Sequence, residues 1–232
     1  MHMNISACAA WAPGLGDLTA WRSWPPDDGS APEIRFVNAL LRRRLGRLSR
    51  MALHVANEAA TGWASLSTIF ASRHGELSRT VGILHALAAN EAPSPTAFSL
   101  SVHNSAAGIF SIFRADRAPS TALAAGEETL LWALAEAAIR LASDPDTAIL
   151  LVYADEPLPG EYGSSAIPGD LAHAVAFLLA PGEGLSLEWV ASSGLRPSQE
   201  PLSMAILANF LGHRERIEWH GERLSVHGFC HA

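Results

Sequence analysis

The feature that most restricts the fold of this chain is a series of short, largely apolar runs separated by segments with helical periodicity. Three such runs lie at 66–71, 121–125 and 148–153, and apolar residues recur at helical spacing between them. A strand that is apolar on both sides is buried on both faces, and a helix between two strands forms a crossover that leaves them parallel. The sequence therefore predicts an α/β domain with a mostly parallel sheet covered by helices on both faces.

The same periodicities predict the individual elements. Helices are expected at 36–60, 76–89, 104–113 and 127–142, and the five strands of the sheet are expected at 5–10, 66–71, 121–125, 148–153 and 173–180. The fifth strand follows the fourth without a helix, so we expect it to run antiparallel at an edge. The expected architecture is a three-layer α/β/α domain over residues 1–182 with a five-stranded sheet. A C-terminal extension over 183–232, packed on the same domain, contains a helix at 202–211 and short strands at 185–190, 215–219 and 223–227.

Composition and charge exclude several functional classes. A chain of 232 residues, 49% of them hydrophobic, has enough apolar residues for one compact domain. The net charge of −7 argues against a nucleic-acid partner, which requires clustered positive charge. All 16 basic residues are arginine, so neither Schiff-base chemistry nor the lysine of a phosphate-binding loop is available.

Cysteine usage and the absence of targeting signals favour the cytoplasm. The two cysteines, Cys8 and Cys230, lie at opposite ends of the chain and provide neither a disulfide framework nor a cysteine-rich zinc site. No apolar segment has the length of a membrane span, and the N-terminus lacks a secretory signal pattern. We therefore expect a cytoplasmic protein without a metal or cofactor.

A sharp turn after the third predicted strand has the geometry in which enzymes present a nucleophile. Gly126 permits a tight turn, and Glu127 and Glu128 follow it at the start of an apolar helical pattern. A residue at such a turn lies over a helix N-terminus, where partial positive charge stabilises an anion. The residue at this turn is Glu127, which either performs chemistry there or simply suits the positive end of the helix.

The segment that leads to this turn resembles the β-ketoacyl synthases of the thiolase-like superfamily. Those enzymes carry a Ser-Pro pair, an Asn before a small-residue helix that ends in Gly, a Pro, and then the catalytic Cys. The corresponding residues here are Ser94-Pro95, Asn104, Gly108 and Pro119. This alignment needs no gap, and it places Glu127 at the position of the family's nucleophilic Cys.

A more specific resemblance is to the short, stand-alone chain length factors of bacterial aryl polyene pigment pathways. The shared features are 10–14, the Arg42-Arg43-Arg44 helix, 70–77, and 94–108. This resemblance implies a thiolase-like half-fold without the second half that carries the family's two catalytic histidines. It also implies a non-catalytic subunit that pairs with a full-length β-ketoacyl synthase, meets acyl carrier protein through that partner, and shapes the acyl tunnel during type II polyketide elongation.

The resemblance assigns residues to the partner interface or the tunnel. The set is Thr96, Ala97, Phe98, Ser101, His103, Asn104, Gly108, Phe110 and Phe113. Thr96 and Ala97 replace two bulky residues of the fatty-acid enzymes, which implies a longer cavity. Phe98, Leu100 and Val102 alternate after Pro95 and predict an extended segment. Ordinary core packing is an alternative role for Phe110 and Phe113.

Other patterns leave alternatives open. Arg43, Arg47 and Arg50 recur at helical spacing, either as a docking stripe for an acidic carrier protein or as a solvated helix face. Ser101 and His103, or Glu127 alone, are candidate catalytic groups of an enzyme that acts independently on acyl thioesters, by acyl transfer or malonyl decarboxylation. A module that only binds a carrier protein is a third alternative. The histidines at 213, 220 and 227 are either structural groups or metal ligands.

Overall fold

A computed structural model describes residues 1–15, 27–165, 171–192, 194 and 196–230 of the chain. The elements, in chain order, are β1 (His2–Trp11), α1 (Ala39–Arg42), α2 (Arg47–Ala59), β2 (Ser67–Ala71), α3 (Leu77–Ala88), α4 (Pro95–Ser99), α5 (Ser105–Arg114), β3 (Ser120–Leu123), α6 (Thr129–Ser143), β4 (Ile149–Asp155), a 3₁₀ segment (Gly160–Ser165), β5 (His173–Ala191), α7 (Leu202–Phe210), β6 (Ile217–His220) and β7 (Leu224–Cys230).

The described strands form one sheet in the order β3-β2-β4-β5-β7-β6, and β1 pairs with β5 off this path. β2 runs parallel to β3 and β4, and the remaining pairings are antiparallel. The α/β class is therefore confirmed, but the prediction of a mostly parallel, five-stranded sheet is wrong, because the described strands form a seven-stranded sheet in which two of the six pairings are parallel. β5 follows β4 without a crossover helix and runs antiparallel to it, as predicted, but its expected position at an edge is wrong, because β5 also pairs with β1 and β7.

The C-terminal strands continue the main sheet. β5 spans His173–Ala191, so the predicted boundary between residues 182 and 183 falls inside a strand. Residues 185–191 of β5 pair with β7, and β7 pairs with β6. Because these strands share the backbone hydrogen bonds of the central sheet, the C-terminal region is tied directly to the strands that carry the candidate site.

Each face of the sheet carries its own hydrophobic core, as the three-layer prediction requires. Along β4, Ile149, Leu151 and Tyr153 belong to the core that includes α6 and α7, whereas Leu150 and Val152 belong to the core that includes α2 and α5. Successive side chains of a strand point to opposite faces. All seven residues of β4 are buried, which explains why this run is continuously apolar.

Two predicted elements differ in the structure. The helix expected over 36–60 is divided into α1 and α2, and Gly46 is the N-cap of α2. The extended segment expected through Phe98 and Val102 is wrong, because residues 95–99 form α4. Ser94 caps this helix by accepting a hydrogen bond from the Ala97 amide, and Pro95 occupies its first turn. Ser followed by Pro is a helix-start signal, and it outweighs an alternation of only three residues.

Candidate functional site

The turn between β3 and α6, which we call the elbow (residues 124–128), has the conformation expected from the sequence. Gly126 adopts a φ of 62°, in the left-handed region that favours glycine. The Thr129 hydroxyl donates to the Gly126 carbonyl at 2.6 Å and accepts from the Ala125 amide at 2.9 Å. These bonds fix the turn directly before α6, so Glu127 is presented just ahead of the helix.

Glu127 lies partly buried at this turn, close to other acids. Burial raises the pKa of its carboxyl, and the negative charges of Glu222 and Glu128 add to the increase. The Glu222 backbone N–H, which donates to Glu127, and the charge of Arg73 act in the opposite direction. Glu127 is therefore a carboxyl with a raised pKa just ahead of α6, hydrogen-bonded to the turn between β6 and β7.

Glu128 anchors the elbow to that same turn. Glu128 is 1% exposed, and its carboxylate accepts hydrogen bonds from the Arg223 backbone N–H and Nε, each at 3.0 Å. Arg223 Nη2 also donates to Glu128 and to the Ala125 carbonyl. Burial alone raises the pKa of Glu128, but the hydrogen bonds and charge of Arg223 together hold it below its ordinary value.

Residues 221–223, which we call the hairpin turn, thus close over the elbow. A Cβ atom at Gly221 would lie 2.5 Å from the Trp219 ring and 3.2 Å from Glu128 Oε1, so the backbone approaches closely there. Sequence reasoning missed both Glu128 and Arg223 as parts of this site. The only local signal was the adjacent pair of acids, because Arg223 lies 95 residues away along the chain.

A second polar cluster lies at the carboxyl ends of β2 and β4. Asp155 is 1% exposed and accepts hydrogen bonds from the Ser72 hydroxyl at 2.9 Å, the Arg73 backbone N–H at 2.9 Å, Arg73 Nε at 2.7 Å and the Tyr153 hydroxyl at 2.5 Å. A buried carboxylate with this many donors is fully compensated. Asp155 therefore holds the loop after β2 in place.

The side chains of the predicted pair Ser101 and His103 each bond to a backbone carbonyl. The Ser101 hydroxyl donates to the Phe98 carbonyl at 2.8 Å, and His103 Nε2 bonds to the Ser72 carbonyl at 2.8 Å. A carbonyl oxygen only accepts, so His103 Nε2 carries a proton. The two side chains are therefore occupied by different partners. His103 also packs on Gly75, where a Cβ atom would lie 2.9 Å from its ring.

The predicted tunnel residues divide into three groups. Phe98 is 65% exposed, whereas Phe110 is 2% exposed and packs on Phe70 with ring centroids 5.7 Å apart. Phe110 therefore packs in the core, whereas Phe113 is partly buried and its ring meets that of Phe36 at a tilt, with centroids 4.8 Å apart. Of the remaining residues, Asn104 and Gly108 are exposed, Thr96 is partly buried, and Ala97 lines a cavity between α3 and α4.

The predicted arginine stripe is divided by internal contacts. Arg47 forms an ion pair with Asp27 and donates to the Ser30 carbonyl, and Arg50 donates to the Pro32 carbonyl at 3.1 Å. Arg43 follows α1 as its C-cap and is exposed. Two of the three arginines therefore fix the segment that precedes α1.

The histidines near the C-terminus have structural contacts. His220 Nδ1 bonds to the Ser225 hydroxyl at 3.0 Å, and the His220 and His227 rings meet edge to face at 6.0 Å. Within the described residues, no group of three or more His, Cys, Asp or Glu side chains is placed to bind a metal ion. In the same part of the chain, no helix has the length and apolar character needed to cross a membrane.

A family model for the N-terminal domain of β-ketoacyl synthases matches residues 19–227. The chain belongs to this family. The resemblance drawn from the segment between Ser94 and Glu127 is thereby confirmed, together with the thiolase-like fold. No curated protein matches the sequence.

Solved structures extend this result. The chain is 27% identical, with a TM-score of 0.86, to a chain in the structure of the ketosynthase ApeO in complex with its chain length factor ApeC from Xenorhabdus doucetiae, and it covers 99% of both chains. The ishigamide ketosynthase/chain length factor matches 65% of this chain and half of its own at 19% identity and a TM-score of 0.51. A type II acyl carrier protein and ketosynthase complex, AntDE:AntF, matches 92% of this chain and 75% of its own at 13% identity and a TM-score of 0.57. These last two show the shared fold.

Proposed function

We propose that this chain is a non-catalytic chain length factor. It forms a heterodimer with an active β-ketoacyl-ACP synthase and shapes the acyl tunnel during chain elongation in a type II polyketide pathway of the aryl polyene kind. The partner supplies the catalytic cysteine and histidines, and this chain supplies one wall of the tunnel. The nearly full-length match to a chain of a ketosynthase and chain length factor complex supports this assignment.

The proposal depends most on the elbow. The resemblance places Glu127 at the position of the family's catalytic thiol, and the hairpin turn closes over the elbow through the bonds between Glu128 and Arg223. The two cysteines lie elsewhere, in β1 and β7. Burial raises the pKa of Cys8 to about 12 and that of Cys230 to about 11. Both thiols are therefore protonated near neutral pH and are poor nucleophiles.

The proposed docking surface for the partner consists of the edge of β3 and the exposed sides of α3 and α4. β3 ends the strand order, and the amides of Thr68 in β2 and of Ser72 directly after β2 donate to the carbonyls of residues 119 and 123. Because backbone groups alternate along a strand, those of residues 120 and 122 point away from β2. Leu84 and Leu87 of α3 and Phe98 of α4 are at least half exposed. An apolar surface of this kind is typical of an interface.

The tunnel role is supported by space beside a small side chain. Ala97 and Ser94 line a cavity of about 470 Å³ that reaches to α3. In place of Ala97, a phenylalanine would project a ring into this space. We therefore propose that the size of the side chain at position 97 sets the length of the acyl chain that the tunnel accepts.

The proposal also covers the carrier protein and the compartment. Acyl carrier protein meets the heterodimer chiefly on the ketosynthase, and Arg43 is the one predicted docking arginine that is not committed to an ion pair or a carbonyl among the described contacts. Two free cysteines are compatible with a reducing cytoplasm.

Co-expression with a full-length ketosynthase from the same source tests the pairing. A stable complex of one copy of each chain, with condensation activity that the ketosynthase alone lacks, is the expected result. In that complex, Ala97→Phe is expected to shorten the products, while Ala97→Ser, which keeps a small side chain, leaves their length unchanged. A monomeric chain that forms no complex would refute the proposal.

The raised pKa of Glu127 favours a second candidate, an enzyme that acts alone on acyl thioesters. A carboxyl with a raised pKa is a typical general acid or base. The chain alone, incubated with malonyl carrier protein, distinguishes the two: turnover that disappears in Glu127→Gln supports the second candidate, and no turnover without the ketosynthase supports the first.

A further inference from the structure

The face of the sheet opposite α7 is covered unevenly. The hydrophobic core that includes α2 and α5 extends along β5 only as far as Leu178 and, within the described part of the chain, contains no residue of β6 or β7. In the C-terminal half of the sheet, Leu187, Val226 and Trp219 belong to the core that includes α7. Because successive side chains of a strand point to opposite faces, their neighbours along each strand lie on the uncovered face.

This uncovered face forms a groove of about 550 Å³, which we call the acidic groove (residues 186, 188, 215–218 and 227–229). Its volume is within the range of ligand pockets. Glu188, Glu215 and Glu218 are exposed and, among the described residues, form no ion pair. Arg216 also lines the groove. Three carboxylates against one guanidinium give the groove an excess of negative charge, which is complementary to a cationic partner.

Two of these carboxylates flank a histidine across three neighbouring strands. Glu188 of β5 pairs with His227 of β7, and His227 pairs with Glu218 of β6. Since neighbouring strands lie about 4.8 Å apart, the backbones at the two glutamates are about 10 Å apart, with the His227 ring between them. This spacing leaves room for one cationic group that reaches both carboxylates.

A buried hydroxyl and an aromatic ring form the next row of the groove. Ser186 pairs with Phe229, and both residues line the groove. Ser186 is only 8% exposed, and its hydroxyl has no hydrogen-bond partner among the described contacts. A buried polar group of this kind normally has a partner, so Ser186 indicates that a hydrogen-bonding ligand fills the groove. Phe229 is 40% exposed and offers a surface on which a planar cation stacks.

We propose that the acidic groove binds an arginine side chain of a partner protein. The guanidinium lies between Glu188 and Glu218 and donates to both carboxylates and to the Ser186 hydroxyl, while its aliphatic stem packs along Phe229. A guanidinium has five donors in one plane, so it serves several acceptors at once and also stacks on a ring, which a lysine ammonium does not do.

The position and charge of the groove distinguish this partner from the others. β6 ends the strand order opposite β3, so the groove lies at the other end of the sheet from the docking surface proposed for the ketosynthase. Like charge disfavours an acidic carrier protein as the occupant. The groove therefore provides a second interaction surface, which is available while the ketosynthase is bound.

A titration followed by nuclear magnetic resonance tests the proposal. The ¹⁵N-labelled full chain receives the peptide acetyl-Ala-Arg-Ala-amide or its citrulline counterpart, which has nearly the same shape without the charge. The arginine peptide is expected to cause saturable amide shifts in β6, β7 and the second half of β5. The citrulline peptide is expected to bind at least about tenfold more weakly, because it loses the charged hydrogen bonds to two carboxylates.

Three variants locate the site. Glu188→Gln and Glu218→Gln are each expected to weaken binding of the arginine peptide about three- to fivefold, the effect of one exposed charge pair. Glu91→Gln, the same change at an exposed side chain between α3 and α4, is expected to keep the parent affinity. Equal affinities for the two peptides, or parent affinity in both folded groove variants, would overturn the proposal.

Other occupants give different results in the same titration. Spermidine that displaces the arginine peptide at concentrations below the peptide's own Kd would assign the groove to a free polyamine and refute the protein partner. Self-association of the chain that the arginine peptide reverses would replace that partner with a second copy. Binding is measured on the chain itself, so loss of the groove would leave the ketosynthase pairing standing, and the reverse holds equally.

Discussion

Replacement of Phe98 by alanine tests the proposed partner interface without disturbing the hydrophobic core. Phe98 is 65% exposed, so its removal is expected to change the free energy of unfolding by no more than about 0.5 kcal/mol. A phenylalanine buries about 200 Å² when fully covered, so about 130 Å² of this side chain is free for a partner to cover. At about 25 cal/mol per Å², this area corresponds to about 3 kcal/mol. Because alanine retains its Cβ, the expected loss in affinity for the ketosynthase is about 2 to 3 kcal/mol, or roughly 30- to 150-fold.

The assay is a titration of labelled ketosynthase with parent and variant chains, accompanied by urea unfolding of each chain alone. Val190→Ala is the matched control. Val190 is also more than half exposed, but it lies in β5, which is not part of the proposed docking surface. The control is expected to bind like the parent. Parent-like affinity in Phe98→Ala would refute the assignment of α4 to the interface. A large loss of stability would show instead that Phe98 supports the fold.

Three further predictions concern the core and the elbow. Phe110→Ala is expected to lower the free energy of unfolding in urea by about 3 to 5 kcal/mol, because Phe110 is 2% exposed and its removal leaves a cavity. Glu128 has a lowered pKa, so its ion pair contributes stability that is complete above the ordinary value of 4.5 and is lost as the pH falls through the folded-state pKa. Arg223→Ala is therefore expected to lower the melting temperature near about pH 7 and to flatten its decrease during acidification. Glu127→Ala is expected to keep the condensation rate of the complex within about twofold, since the thiol chemistry is assigned to the partner.

Each of these predictions has a contrary result. A folded Phe110→Ala variant with parent stability but altered product length would place Phe110 in the tunnel. Parallel pH profiles for the parent and Arg223→Ala would show that the hairpin turn does not depend on the charge of Glu128. A loss of about a hundredfold or more in condensation by an intact Glu127→Ala complex would assign acid or base chemistry to Glu127.

The elbow was predictable because its determinants are close together in the sequence. Gly126 permits the turn, and the apolar pattern after Glu128 specifies the helix that follows. The region around Phe98 shows the opposite case, since three alternating apolar residues predicted a strand where Ser94 and Pro95 start a helix. The core role of Phe110 was one of two open alternatives, because an apolar side chain has the same pattern whether it packs inside the fold or lines a tunnel.

The sequence by itself determined the α/β class, the buried strand β4 and the acid at the elbow, because periodicity and turn chemistry are local properties. Only the tertiary structure decided that β5 pairs with β1, β4 and β7, and that Arg223 reaches Glu128 across 95 residues of chain. Strand pairing and buried ion pairs depend on which distant segments the folded backbone brings together. The amino-acid pattern of one segment does not show which distant segment it will contact. The cavity beside Ala97 was likewise decided by the tertiary structure, since four separate segments of the chain form its walls.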